Sequence, residues 1–281
     1  MLLGTSLVVA ALAVLSACAA GGQQANDNPS GADARLAHVH GLGVDPADGT
    51  LYAASHYGVF RVPEAGEPQR VGERQQDTMG FTVVGPRQFL GSGHPDPDED
   101  LPNHLGLIAS TDAGQSWQLL SLAGEADFHA LEAEHGRVYG YDSQSRQLMV
   151  SADRTSWDRR ARLALADFAV DPANGETLLA TTQNGLARSV DGGRTFTAIP
   201  GAPRLLLVDW PAEDGLFGAG ADGSVYTSQD GGTTWSRVGE VPGAPQALTA
   251  TGQADVYLAT ETGIHASRDG GRTFVLRQPL G

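Results

Sequence analysis

Ser189-Val-Asp-Gly-Gly-Arg-Thr-Phe196 is one of five related segments whose spacing decides the fold. The others are Ser110-Thr-Asp-Ala-Gly-Gln-Ser-Trp117, Ser228-Gln-Asp-Gly-Gly-Thr-Thr-Trp235, Ser267-Arg-Asp-Gly-Gly-Arg-Thr-Phe274 and Ser151-Ala-Asp-Arg-Thr-Ser-Trp157, the last lacking the glycine and one residue. Their leading serines, taken in chain order, lie 41, 38, 39 and 39 residues apart. A fixed period of this length marks a repeat architecture before any local propensity is weighed.

Each segment reads as a tight turn. The aspartate can accept backbone N–H groups across it, glycine supplies positive φ, and the closing aromatic packs beneath the hairpin. Asp112, Asp153, Asp191, Asp230 and Asp269 are therefore assigned to structure, not catalysis. Upstream, a second strand recurs six times, at residues 51–56, 89–94, 138–143, 178–183, 216–221 and 256–261. The first repeat has no turn motif and carries Phe60-Arg-Val-Pro-Glu-Ala-Gly66 in its place. One more apolar segment precedes each such strand, so every unit of ~40 residues holds four short strands, the content of a propeller blade. The reading predicts an all-β chain, a six-bladed β-propeller with four-stranded blades near 36–75, 76–122, 126–162, 163–201, 202–242 and 243–281. Ring closure is left open, because the sixth repeat is complete without an N-terminal strand.

The turns resemble the Asp-box hairpins, or BNR repeats, of sialidases, sortilin-type receptors and photosystem II assembly factors, and six blades match the sialidase-like superfamily. His38-Val-His-Gly-Leu-Gly-Val-Asp-Pro46 and Met79-Gly-Phe-Thr-Val-Val84 are similar to stretches of bacterial Asp-box lipoproteins that carry a glycosylhydrolase name. That name follows the fold, and fold does not fix function.

Residues 2–15 form an uncharged apolar run too short to cross a bilayer core of ~30 Å. They read as the core of a signal peptide spanning 1–17. Leu15-Ser16-Ala17-Cys18 resembles the bacterial lipobox, which implies diacylglycerol on Cys18, the only cysteine in the chain. No Lys or Arg precedes the apolar run, a departure from the usual signal peptide. Residues 18–34, small and polar after the cysteine, read as a lipidated tether, with the folded body at 35–281. The expected location is the extracytoplasmic face of the cell membrane, reached through the anchor.

A net charge of −15 argues against nucleic acid, whose binding rests on releasing counterions from phosphates. With one cysteine, intrachain disulfides and multi-cysteine zinc sites are excluded.

Repeats supply their own control, since structural residues recur in every blade and site residues in only some. Aligning the innermost strands places His40, Met79 and His129 at one position in blades 1, 2 and 3. His38, Asp77 and Asp127 stand two residues earlier, on the same face by the period of 2. The end of the second strand adds His56 and His94. His40, His56, Met79, His94 and His129 are thus candidate ligands for copper or a similar late-transition ion, which imidazole and thioether suit. His38, Asp77 and Asp127 would support them from outside. Side chains lining a wet tunnel are the competing explanation. His135 and His265 are expected at the surface. Blade 2 also carries the long insertion Pro95-Asp-Pro-Asp-Glu-Asp-Leu-Pro-Asn-His104, and its four carboxylates fit either a cation lure or an exposed loop.

A sialidase-like glycoside hydrolase acting on surface glycans is the alternative function. Phe60-Arg61-Val62-Pro63 resembles the sialidase Arg-Ile-Pro signature, yet it aligns with Leu186-Ala-Arg188 as an ordinary repeat element. Arg204, Tyr141 and Glu261 are candidate partners that no spacing singles out. The leading reading is a non-catalytic binding or assembly module with a protein or glycan ligand at the propeller face.

Overall fold

The second strands read as short apolar runs without polar alternation, the pattern of strands covered on both faces. In the computed structural model, which describes residues 35–280, Leu51–Ser55 and Gly215–Ala219 are buried at every position. What covers them is the neighbouring blade on either side. Six antiparallel sheets, each of four consecutive strands in up-and-down order, form a six-bladed β-propeller. The blades span 39–70, 77–121, 128–162, 165–198, 207–240 and 245–279. Their innermost strands are Val39–Val44, Asp77–Gly85, Phe128–Glu134, Leu165–Val170, Leu207–Ala212 and Pro245–Thr251. Each packs against the next, and the last returns to the first. The signal peptide, tether and Cys18 assigned from sequence lie outside the described residues.

The apolar core is divided among the interfaces between blades. Leu179 and Leu186 of blade 4 share a cluster with Val208, Trp210 and Leu216 of blade 5, and the pattern repeats at each seam. Close approach near the axis restricts side chains there: a Cβ on Gly80 would lie 2.5 Å from the carbonyl oxygen of Phe128 in the next blade.

The turn motifs form as the sequence predicts and also lock the seams. Oδ1 of Asp191 accepts Arg194 N and Thr195 N, each at 2.9 Å, while Thr195 Oγ1 donates to Oδ2 at 2.6 Å. Ser189 Oγ donates to Asp191 at 2.7 Å and accepts Gly193 N at 2.8 Å. Equivalent bonds surround Asp112, Asp230 and Asp269. The shortened turn keeps three, from Ser151 Oγ, Thr155 N and Ser156 N to Asp153. Hydrogen bonds from Thr195 hold the Asp191 carboxyl well below the usual carboxylate range. The aromatics reach further than their own hairpins. Trp117, Trp157, Phe196, Trp235 and Phe274 each pack on the cluster shared with the preceding blade.

Ring closure, which the sequence leaves open, uses no shared strand. Val39 N donates to Gln246 Oε1 at 3.0 Å, and Arg277 donates to the carbonyls of Val62 (2.8 Å) and Pro63 (3.1 Å). Beneath them Leu36, Val39, Phe60 and Val62 pack with Tyr257 and Ile264. This seam has no turn aromatic, since blade 1 lacks the motif, and apolar packing fills that role.

Candidate metal centre

One backbone irregularity repeats near the start of the innermost strands. Against its partner strand, each of five blades inserts one extra residue, at His40, Met79, His129, Ala166 and Gln246. A β-bulge re-aims the side chain it carries. All five line the central cavity, of about 600 Å³. The aligned position that holds His40, Met79 and His129 is therefore a structural device for presenting side chains to the channel, and blades 1 to 3 fill it with potential ligands.

The five candidate ligands do not converge on one point. His40 and His56 of blade 1 meet Asp77 of blade 2. His40 Nε2 lies 3.2 Å from His56 Nδ1, and Asp77 Oδ1 lies 3.3 Å from the first and 3.1 Å from the second. His38 stands beside them, its ring centroid 4.8 Å from that of His40. Burial and the neighbouring rings of His40 and His56 lower the His38 pKa. Burial alone would raise the Asp77 carboxyl, but hydrogen bonds and charge from His40 and His56 outweigh it and hold the group well below the usual range.

A second group straddles the next seam. Asp127, 1 % exposed, accepts His129 Nε2 at 3.0 Å, and its Oδ2 lies 4.0 Å from both His94 Nε2 and His104 Nδ1. Met79 occupies the bulge between those of His40 and His129. Asp77 and Asp127, predicted as outer supports, instead stand at the centre of the two groups and offer oxygens directly.

His104 escaped the sequence reading because it sits in the insertion, where no aligned position exists. His265, expected at the surface, is only 6 % exposed on the third strand of blade 6. Its register partner Leu258 places it at the position held by Phe60, Ile108, Met149 and Ala187 in other blades, an apolar signal available in the alignment. Burial lowers its pKa. His135 lies on the exposed turn at the far end of its strand, with Nε2 2.9 Å from the Asp171 carbonyl.

Elsewhere on the innermost strands, three carboxylates bind the blades together. Glu132 accepts Val170 N (3.1 Å), Asp167 accepts Val208 N (3.0 Å) and Asp209 accepts Ala250 N (2.5 Å), each from the following blade. Arg61 and Arg188 pair with Tyr52 and Leu179, equivalent places in blades 1 and 4, so the sialidase-like arginine is a repeat element.

No protein-family profile matches the chain. A stretch of 75 residues is 35% identical to the photosystem II assembly lipoprotein Ycf48 of Synechococcus sp. (strain CC9902), covering 25% of this chain and 22% of that protein. Among solved structures, a chain of the nidogen/laminin complex superposes with a TM-score of 0.63 at 14% identity, over 82% of this chain and 95% of that one. YCF48 bound to D1 peptide gives 0.54 at 14% identity, over 86% and 81%. The GH74 enzyme of Niastella koreensis gives 0.53 at 18%, over 86% and 37%. They share the β-propeller fold. A chain of a protein complex, a peptide-bound propeller and a GH74 enzyme all appear among them, so the fold alone selects no activity.

Proposed function

We propose that the chain is a lipid-anchored, extracytoplasmic β-propeller of Asp-box type. In this reading it acts as a non-catalytic binding or assembly module and holds a late-transition ion, copper foremost, at the seam of blades 1 and 2. The observation that carries the metal reading is the triangle of His40 Nε2, His56 Nδ1 and Asp77 Oδ1, with edges of 3.1 to 3.3 Å. Donors about 2.0–2.1 Å from a tetrahedral ion stand roughly 3.3 Å apart, so these separations match three donors of one ion, which would displace the protons now shared between the imidazoles and the carboxylate. Two imidazole nitrogens and a carboxylate oxygen suit zinc and copper, and affinity for such donors rises to Cu²⁺ in the divalent series. Met79, the bulge residue of blade 2, lines the same cavity as His40.

The assembly reading is supported by the likeness to an assembly lipoprotein and to a propeller solved with a bound peptide. The ligand proposed for the propeller face is accordingly a protein segment. Cys18 would carry the anchor. Among described residues no helix is long and apolar enough to cross a membrane.

Copper titration of the metal-depleted protein, followed by calorimetry, tests the site. His56→Ala is expected to weaken the ion at this seam at least tenfold, because it removes one of three donors, whereas His135→Ala leaves the affinity unchanged. Equal effects of the two variants would refute the site. For the anchor, Cys18→Ala is expected to shift the protein from the membrane pellet to the soluble fraction with its melting temperature unchanged. A variant that still pellets after signal cleavage would show that something other than Cys18 holds it.

A further inference from the structure

The blade 2 insertion at 95–104 is fixed in place by residues the metal reading does not use. Arg74 grips Glu99 through Nε and Nη2 at 2.6 to 2.8 Å, and Asp96 accepts Gln75 N at 2.7 Å. Two of the four acidic side chains are thereby tied to the connection from blade 1. At the other end, Gly124 N donates to the His104 carbonyl at 2.7 Å, and Leu105 N to that of Gly93 at 2.8 Å. The insertion is thus a strapped loop, and its straps deliver His104 to Asp127.

Three unmet demands converge there. His94 Nδ1 lies 2.8 Å from the Asn103 carbonyl, a contact that only an N–H satisfies. Nδ1 then carries the ring proton of the neutral imidazole, and Nε2 turns a lone pair toward Asp127 Oδ2, 4.0 Å away. A backbone carbonyl behind the ring is the usual support of a metal-binding imidazole. His104 Nδ1 is buried with no hydrogen-bond partner, and so is Asp127 Oδ1. Leaving such atoms unsatisfied costs about 1–3 kcal/mol each, more for a charged group. Asp127 Oδ2 already accepts His129 Nε2, Ser143 Oγ at 3.1 Å and Gln144 Nε2 at 3.4 Å, so a cation here would answer the two imidazole nitrogens and draw on a carboxylate whose other oxygen is unpaired.

We infer that His94 Nε2, His104 Nδ1 and Asp127 form a second metal site, built by the insertion, which takes a divalent late-transition ion independently of the first. This extends the metal reading above to a separate set of donors. The donor atoms lie within 4.8 Å of one another, wider than in the first triangle. Binding therefore draws His104 and its loop inward by about 1 to 1.5 Å to reach the ~2.0–2.2 Å bonds of zinc or copper. His129, on the same carboxylate, is placed to follow. Asp77 and His94 are cross-strand partners, so the two ions would sit side by side over blade 2.

Metal-depleted protein is loaded with Cu²⁺ and, separately, Zn²⁺, desalted, and measured for bound metal per chain by mass spectrometry. Two ions are expected in the wild type. His104→Ala and His94→Gln should each leave one, His56→Ala should leave the other, and circular dichroism checks that all stay folded. If His104→Ala and His94→Gln both retain two ions, or the wild type holds one that neither variant removes, the second site is refuted. In the latter case loss of that single ion in His56→Ala would leave the first site standing. Conversely, one ion lost only with His104 or His94 would support the second site and refute the first.

Discussion

Replacing Trp235 with alanine is expected to lower the free energy of unfolding by about 3 kcal/mol, a large share of the 5–15 kcal/mol typical of a domain. The indole packs on the cluster that joins Leu179 and Leu186 to Trp210 and Leu216, and its Nε1 donates to the Gly232 carbonyl at 3.1 Å. Truncation removes apolar contact from both sides of one seam. It also removes the support of a turn whose Gly232, at φ 82°, already sits so close to blade 4 that a Cβ would meet Leu179 Cδ1 at 2.7 Å. Relaxation into the void is therefore limited on that side. Because Trp235 is only half-buried, the lower end of the 3–5 kcal/mol range for aromatic truncation applies. Leu119→Ala, at a site 41 % exposed on an outer strand, should stay within about 0.5 kcal/mol. Urea unfolding of both variants checks the pair. A loss below about 1 kcal/mol for Trp235 would mean that the turn aromatics do not carry the seams.

The repeat period made the fold legible because each blade must solve the same local problem with the same residues. Closure was not legible, since it rests on contacts such as Val39 to Gln246 and Arg277 to Val62, more than 200 positions apart. The candidate site lies between these cases. Comparing repeats drew attention to His40, Met79 and His129, and the bulge explains why that position was informative. Their division between two seams was hidden, because it depends on which neighbouring blade each side chain meets. His104 was missed because an insertion has no counterpart to compare with. The contacts of Asp77 and Asp127 with histidines of two blades were not legible, because strand periodicity gives the face of a residue but not its reach across a seam.

Stability should fall between pH 5 and pH 7.5, by about 2–4 kcal/mol. Burial pushes the carboxyl of Asp167 up to about 7, with a further push from Asp209. Burial likewise raises Asp209 to about 6, aided by Glu134. Glu132 is raised in the same way by burial, Asp209, Asp167 and Glu134. Each group binds its proton more tightly folded than unfolded, so its contribution is fully present below the unfolded value near 4 and is lost as pH rises through 6 to 7. Each pH unit of such a difference is worth about 1.4 kcal/mol per group, and water in the channel reduces the sum. His56, raised by its hydrogen bond to Asp77, works in the same direction, while His38 and His265, lowered chiefly by burial, work against it below pH ~6.5. The slope thus belongs mainly to the carboxylates that tie blades 4, 5 and 6 together through Val208 N and Ala250 N. Combining Asp167→Asn with Asp209→Asn removes two titrations while each amide oxygen can still accept a backbone N–H. The double variant should therefore show less than half the wild-type change across this window, whatever its absolute stability. Urea midpoints at pH 5, 6, 7 and 7.5 measure both curves. Wild-type stability that rises over the window, or an unchanged slope in the double variant, would place the protons elsewhere.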